Sequence, residues 1–205
     1  MERRDPYQPA FAKARQDLAR LDPLAVALAS GAELRRGPQE QVIGLAYWGR
    51  ALAVLWPAGV VRAVSGERLS AAVQLVVLHY LVTADGSRVA DRWLSFRELP
   101  DGRVYDAAFR RRACLPLARV FGHERELFVA ACQRLGGERL VYGDASFMFR
   151  VLPRVRVAAI LHLGDDEFPA EASLLFDASV RHYLPIEDVA VLGGLVAGEL
   201  IRARP

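Results

Sequence analysis

Residues 70 to 84 read Ser-Ala-Ala-Val-Gln-Leu-Val-Val-Leu-His-Tyr-Leu-Val-Thr-Ala, apolar but for a few small or isolated polar residues such as Gln74 and His79. A helix over Ser70–Thr83 has no polar face to offer water, so protein must surround it. The run is too short to span a bilayer. The expectation is therefore a central buried helix and no membrane association. His79 sits inside that helix. Its plain reading is a core histidine with a backbone or carboxylate partner; the alternative is an axial ligand to a metal or tetrapyrrole.

The rest of the chain has to supply the cover. With 205 residues and 53% hydrophobic content the chain can build one sizeable core, and residues 1–205 are expected to form a single globular domain. The net charge is +3, and Lys13 is the only lysine, so the positive charge is written almost wholly in arginine. Arg110-Arg111-Arg112 is the only run, and no aromatics are interleaved with it. A nucleic-acid partner is not expected. Cys114 and Cys132 form no Cys-x-x-Cys pair, which excludes a zinc or cluster motif. Each lies in an apolar, helical context that suits a small buried hydrophobe. Met1–Pro6 has no apolar stretch behind it and is not a secretory signal, so a cytoplasmic protein is expected.

Helical spacing of Ala10, Phe11, Ala14, Leu18 and Leu21 predicts an amphipathic first helix. Asp22-Pro23 restarts a second helix, which stops at Gly31. A polar stretch, Glu33 to Gln41, follows. Val42–Tyr47, Ala51–Trp56 and Val60–Val64 read as a three-strand meander around Trp48-Gly49-Arg50 and Pro57-Ala58-Gly59. Trp93–Leu99 reads as a strand, Tyr105–Cys114 as a helix with a new turn near Pro116, and Glu124–Leu135 as another helix. Ser146–Leu152 and Val155–Leu163 form an antiparallel hairpin around Pro153-Arg154. The last helix starts near Pro185, with Val189, Leu192, Gly193, Val196 and Leu200 on one stripe. Gly194 and Gly198 are expected to leave a groove for another element. The fold class is α+β: an antiparallel sheet, meander plus hairpin, covered by helices.

The densest polar constellation is Gly164-Asp165-Asp166-Glu167-Phe168-Pro169, continuing through Asp177 and Tyr183 to Glu187-Asp188. Loop carboxylates at a sheet end can bind Mg²⁺ or Mn²⁺, or act as a general acid and base where burial splits their pKa values. They can equally be turn residues, and Glu187 and Asp188 suit the first turn of a helix. Asp177 fits the cap of a short helix through Tyr183, and His182 could ligate a metal alongside it. Alternation along Trp93–Leu99 puts Trp93 and Arg97 on one face and Phe96 on the other. Arg97 can fork a carboxylate or phosphate, with an aromatic face from the Tyr105–Phe109 set stacking a flat ligand. A tight Pro153-Arg154 turn should bring Asp144, Asp165 and Glu167 to the open end of the hairpin. There Arg97 and Arg181 are the candidate compensating cations. The ligand-binding candidates are Arg97, Tyr105, Asp144, Asp165, Glu167, Asp177 and Tyr183. No phosphate loop, zinc-protease helix or nucleophile elbow is present.

A further pattern runs through Trp93-Leu94-Ser95-Phe96-Arg97-Glu98-Leu99-Pro100, Tyr105-Asp106-Ala107-Ala108-Phe109, Phe121-Gly122, Gly143-Asp144 and Leu152-Pro153-Arg154. It ends in the acidic segment, Leu175-Phe176-Asp177 and Tyr183-Leu184-Pro185-Ile186-Glu187-Asp188. These residues resemble a family of functionally uncharacterised proteins of bacteria and archaea. The resemblance covers most of the chain and is densest from Trp93 onward. Members of that family occur largely in anaerobes, and some carry a fused iron–sulfur cluster domain. The resemblance implies an accessory ligand- or partner-binding protein in anaerobic redox or corrinoid-linked metabolism. This chain lacks a cysteine cluster, so an iron–sulfur or corrinoid group would sit on a partner protein. The resemblance assigns no catalytic residue and no cofactor. The rival reading of the residues is a Mg²⁺- or Mn²⁺-dependent hydrolase built on the loop Asp165–Glu167.

Overall fold

The structure, a computed structural model, describes residues 7–37 and 40–205. The reading of Met1–Pro6, and positions 38 and 39 of the polar stretch, lie outside the described residues. The protein is α+β, with seven α-helices and two antiparallel sheets among those residues. None of these helices is long and apolar enough to cross a membrane. The chain groups into two compact units. The first comprises residues 1–88 with Leu152–Arg154 and His182–Pro185; the second comprises Val89–Val151, Val155–Arg181 and Ile186–Pro205.

The first unit begins with α1 (Gln8–Ala19) and α2 (Pro23–Ser30). Phe11, Ala14 and Leu18 of α1 are buried, as their spacing requires, whereas Leu21 lies past the helix end and stays exposed. Asp22 caps α2 by accepting a hydrogen bond from the Ala25 N–H at 2.8 Å. The helix closes at Gly31 in the left-handed region. Then come β1 (Glu33–Arg36), β2 (Gln41–Tyr47), β3 (Arg50–Trp56) and β4 (Val60–Ala63), paired in that order. Trp48 and Gly49 both have positive φ, as a two-residue hairpin turn demands, and this sets Tyr47 opposite Arg50. The expected polar stretch thus contains a strand: β1 pairs Glu33 with Gly44 and Arg35 with Val42. Three of its four residues are charged, which suits a sheet edge.

The apolar helix of this unit is α3 (Ala71–Thr83), capped by Ser70, whose Oγ accepts from the Val73 N–H at 3.3 Å. No residue of α3 is exposed. Its one deeply buried polar group is accounted for: the Tyr80 hydroxyl donates to the Ser30 carbonyl and accepts from the Arg154 N–H at 3.1 Å. Burial pushes that phenol well above its ordinary pKa. Asp17 is held below the usual carboxylate range first by Lys13, at 2.7 Å, with smaller contributions from Arg20 and then His79. His79 is thus a half-buried histidine with a carboxylate in its surroundings.

The second unit holds β5 (Trp93–Ser95), α4 (Gly102–Arg112), α5 (Cys114–Phe121), α6 (Arg125–Arg134), β6 (Glu138–Arg139), β7 (Ala145–Leu152), β8 (Val155–His162), β9 (Glu171–Asp177) and α7 (Ile186–Arg202). Its sheet has the order β5-β9-β8-β7-β6. Meander and hairpin therefore belong to separate sheets. The expected strand Trp93–Leu99 is cut short after Ser95, because Glu98 folds back to accept from both the Ser95 N–H (2.8 Å) and its Oγ (2.7 Å). Residues Phe96–Glu98 form a 3₁₀ turn instead, so the alternation that set Trp93 and Arg97 on one face does not hold. Phe96 and Phe109 stack at 4.3 Å, and Phe109 meets Phe176 at 5.9 Å. Cys114 and Cys132 are buried free thiols.

The stripe expected on α7 is buried, Val189, Leu192, Val196 and Leu200 included. The close approach is made at Gly193, not at Gly194 or Gly198. A Cβ on Gly193 would stand 2.3 Å from Phe109 Cε2, whereas one on Gly194 would meet nothing within 4 Å. Alanine is the better helix former by about 1 kcal/mol, but Phe109 is pinned against Phe96 and overpacking costs about 1–3 kcal/mol. The clash should win at Gly193 and the helix preference at Gly194. Gly193→Ala is expected to lower, and Gly194→Ala to raise, the urea midpoint of unfolding.

Candidate functional site

Asp144 lies just before β7 and Asp165 just after β8, so the hairpin closed by Pro153-Arg154 carries both to its open end. The chain is drawn tight there. The Asp144 N–H donates to the Leu161 carbonyl at 2.9 Å, and Asp144 Oδ2 accepts from the Leu163 N–H at 2.8 Å. Gly143 permits this approach: its φ is +55°, and a Cβ would stand 2.6 Å from the Leu161 oxygen. Arg125 Nε donates to the Asp144 carbonyl at 3.0 Å.

The acidic loop itself is a folded turn. Asp165 Oδ1 accepts from the N–H groups of Glu167 (2.9 Å) and Phe168 (2.7 Å), and the Asp165 N–H donates to the Phe168 carbonyl at 2.9 Å. The Phe168 and Glu167 amides hold the Asp165 carboxyl below its ordinary range. The loop is anchored by the Gly164 N–H, which donates to the Gly122 carbonyl at 2.9 Å between α5 and α6. Backbone amides, rather than Arg97 or Arg181, therefore compensate Asp144 and Asp165. The carboxylates of Asp166 and Glu167 remain exposed with Phe168, which is 67% accessible. On the approach to β7, Val141 and Tyr142 are exposed as well, Val141 almost completely.

Asp177 does not join this group. The register of β8 with β9 pairs His162 with Glu171 and Val157 with Phe176. Asp177 therefore lies at the start of β8, about 20 Å from its acidic end by strand rise. It is buried there, and its Oδ1 accepts from Ala90 N–H (2.9 Å), Ser179 N–H (3.0 Å) and Ser179 Oγ (2.6 Å). It thus caps the 3₁₀ turn Ala178–His182, as expected of a cap. Arg156 Nη2 approaches Asp177 Oδ2 at 3.5 Å and also pairs with Asp91. Burial pulls the Asp177 carboxyl up, but Ser179, Ala90 and Arg156 together hold it below its ordinary range.

The remaining candidates are dispersed. Arg97 is exposed in the 3₁₀ turn, and Tyr105 is half exposed on α4. Tyr183 belongs to the first unit, where its hydroxyl donates to the Ser87 carbonyl and its ring lies 5.7 Å from that of Tyr80. His182 pairs not with Asp177 but with Asp85, at 2.7 Å. Hydrogen bonds from Ser87 and then His182 lower Asp85 to about 2. Among the described residues no group of three or more His, Cys, Asp or Glu side chains is arranged to hold a metal ion. Sequence reasoning overlooked Arg156 and Asp91, whose one signal is an arginine inside an apolar strand. It also passed over the display of Val141, Tyr142 and Phe168; Phe168 alone carries a signal, an aromatic directly after three acids.

The sequence profile of one family, described as a domain of unknown function (DUF3786), matches residues 22–199. The chain belongs to that family. No curated protein and no solved structure matches it significantly.

The Asp177 carboxylate, held low first by Ser179, then by Ala90 and Arg156, gives the second unit a defined pH response. A carboxyl held below its ordinary value in the folded state stabilises the fold above the unfolded pKa, about 4. That contribution is lost as pH falls through the folded value. Stability measured by urea unfolding between pH 7 and 3 should fall less steeply in Asp177→Asn than in wild type. Asp177→Ala leaves Arg156 with only the exposed Asp91, and at pH 7 should lose about 3 kcal/mol, the low end for breaking a buried pair.

Proposed function

We propose that this member of the family is a non-catalytic accessory protein that binds a partner protein at the open end of the β7–β8 hairpin. The observation that carries the reading is the division of labour in the acidic loop. Asp144 and Asp165 spend their carboxylates on the loop's own amides, so they act as scaffold. Asp166, Glu167 and Phe168 are then displayed to solvent on a loop that is already folded. Little ordering entropy remains to be lost on association. An exposed aromatic beside two free carboxylates suits a partner surface with an apolar pocket rimmed by arginine or lysine. The resemblance noted in the sequence supports an iron–sulfur or corrinoid protein of anaerobic redox metabolism, in the cytoplasm, as that partner.

Anoxic affinity purification from the native host tests the proposal. The wild-type chain is expected to retain a protein carrying the visible absorption of an iron–sulfur or corrinoid group. Phe168→Ser combined with Asp166→Arg is expected to reduce retention by at least about tenfold, the loss of one central anchor. Retention unaffected by these substitutions, or no retained chromophore, counts against the reading. The rival hydrolase gives a different result: Mg²⁺ or Mn²⁺ would raise the melting temperature of wild type but not of Asp165→Ala.

A further inference from the structure

The four-stranded sheet of the first unit has one buried face and one open face. Ile43, Leu45, Leu52, Val54 and Val61 are buried on the first. The other face of an antiparallel sheet ordinarily carries polar residues. Here its two central strands carry none. Val42 faces out beside Leu55 and Val60, Gly44 beside Ala53, and Ala46 beside Ala51. Ala46 and Ala51 are exposed, and the others are only partly covered. Charge is confined to the edge strands. Register places Glu33, Gly44, Ala53 and Arg62 in one row across the sheet, an acid at one edge and a base at the other.

We propose that this face docks a second copy of the same chain, face to face, about a two-fold axis parallel to the strands. Such an axis reverses the order of strands across the sheet but keeps each position along them. It sets Glu33 of one copy over Arg62 of the other, and Arg62 over Glu33, within the same row. Between them the facing positions are Gly44 and Ala53, which allow close approach. Glu33 is free to take this role. Its ion pair with Arg35, at 3.1 Å, has both side chains about three-quarters exposed, and such pairs hold little energy. Arg35 lies one row on, where its stem can cover the Val60 of the second copy. Four strands about 4.8 Å apart and about six residues long give faces that together cover roughly 800 Å², below the span of stable interfaces and in that of weak, transient association. The dimer is therefore expected in the micromolar range.

Sedimentation velocity over a concentration series tests this, with circular dichroism confirming that each variant is folded. Wild type should shift from monomer to dimer across micromolar concentrations. Ala53→Arg, in the centre of the face, should remain monomeric. Glu33→Arg and Arg62→Glu each place like charges opposite each other twice, and each should weaken dimerisation by at least about tenfold. An equimolar mixture of those two variants restores both opposite-charge pairs and should form a heterodimer where neither variant alone self-associates. The proposal is overturned if wild type stays monomeric at about 100 μM, well above the expected range. It is equally overturned if all three variants dimerise like wild type, or if the mixture fails to associate. None of these outcomes involves the hairpin loop that carries the proposed partner site.

Discussion

Strands β7 and β8 are buried on both faces, and the second unit is arranged around that constraint. Only Arg150 is exposed in β7; in β8 His162 is exposed and Arg156 partly so, every other residue being buried. A two-sided interior leaves polar groups two options, internal pairing or exile to the strand ends. Ser146 takes the first, its Oγ accepting from the Tyr142 N–H at 2.9 Å. Arg156 also takes the first, through Asp177 and Asp91. The acidic residues take the second. The polar groups of this strand pair therefore collect at its two ends, with the carboxylates of Asp144 and Asp165 at one end and that of Asp177 beside the other.

Much of the fold was legible because local signals and burial agreed. Asp22 and Gly31 bracket α2, Trp48-Gly49 turns the first hairpin, and the apolar run at 70–84 is enclosed as it had to be. Strands without a hydrophobic signature were not legible. In β1 three of four residues are charged, and its place is fixed by backbone hydrogen bonds to β2, which composition does not record. The same holds for the two residues of β6. In β9 the buried set Ala172, Leu174 and Phe176 does alternate, but Leu175 and the flanking acids blur the pattern. The strand at Trp93 was overextended because the backward hydrogen bonds of Glu98 end it, and side-chain alternation carries no trace of them.

The candidate site was half legible for a related reason. A two-residue turn fixes which ends of two strands meet, so the convergence of Asp144 and Asp165 followed from the sequence. What neutralises them did not. Arginine was the visible cation, whereas the groups that act are the amides of Leu163, Glu167 and Phe168, present in any sequence and aimed only by the folded turn. The same gap separated Asp177 from the acidic loop: its proximity in sequence hid a full strand length between them.

The buried cysteines carry a consequence of another kind. Burial pushes both thiols above their ordinary pKa, Cys132 the more strongly. Such burial slows reaction with oxidant or alkylating reagent while the helices stay packed, most at Cys132, which has no exposed surface. Cys114 begins α5 and Cys132 closes the buried side of α6, the two helices flanking the Gly122 carbonyl that anchors the acidic loop. Each sulfur is thus a built-in clock. The rate at which a reagent reaches it measures how often that part of the second unit breathes open, and a partner seated on the loop would slow it.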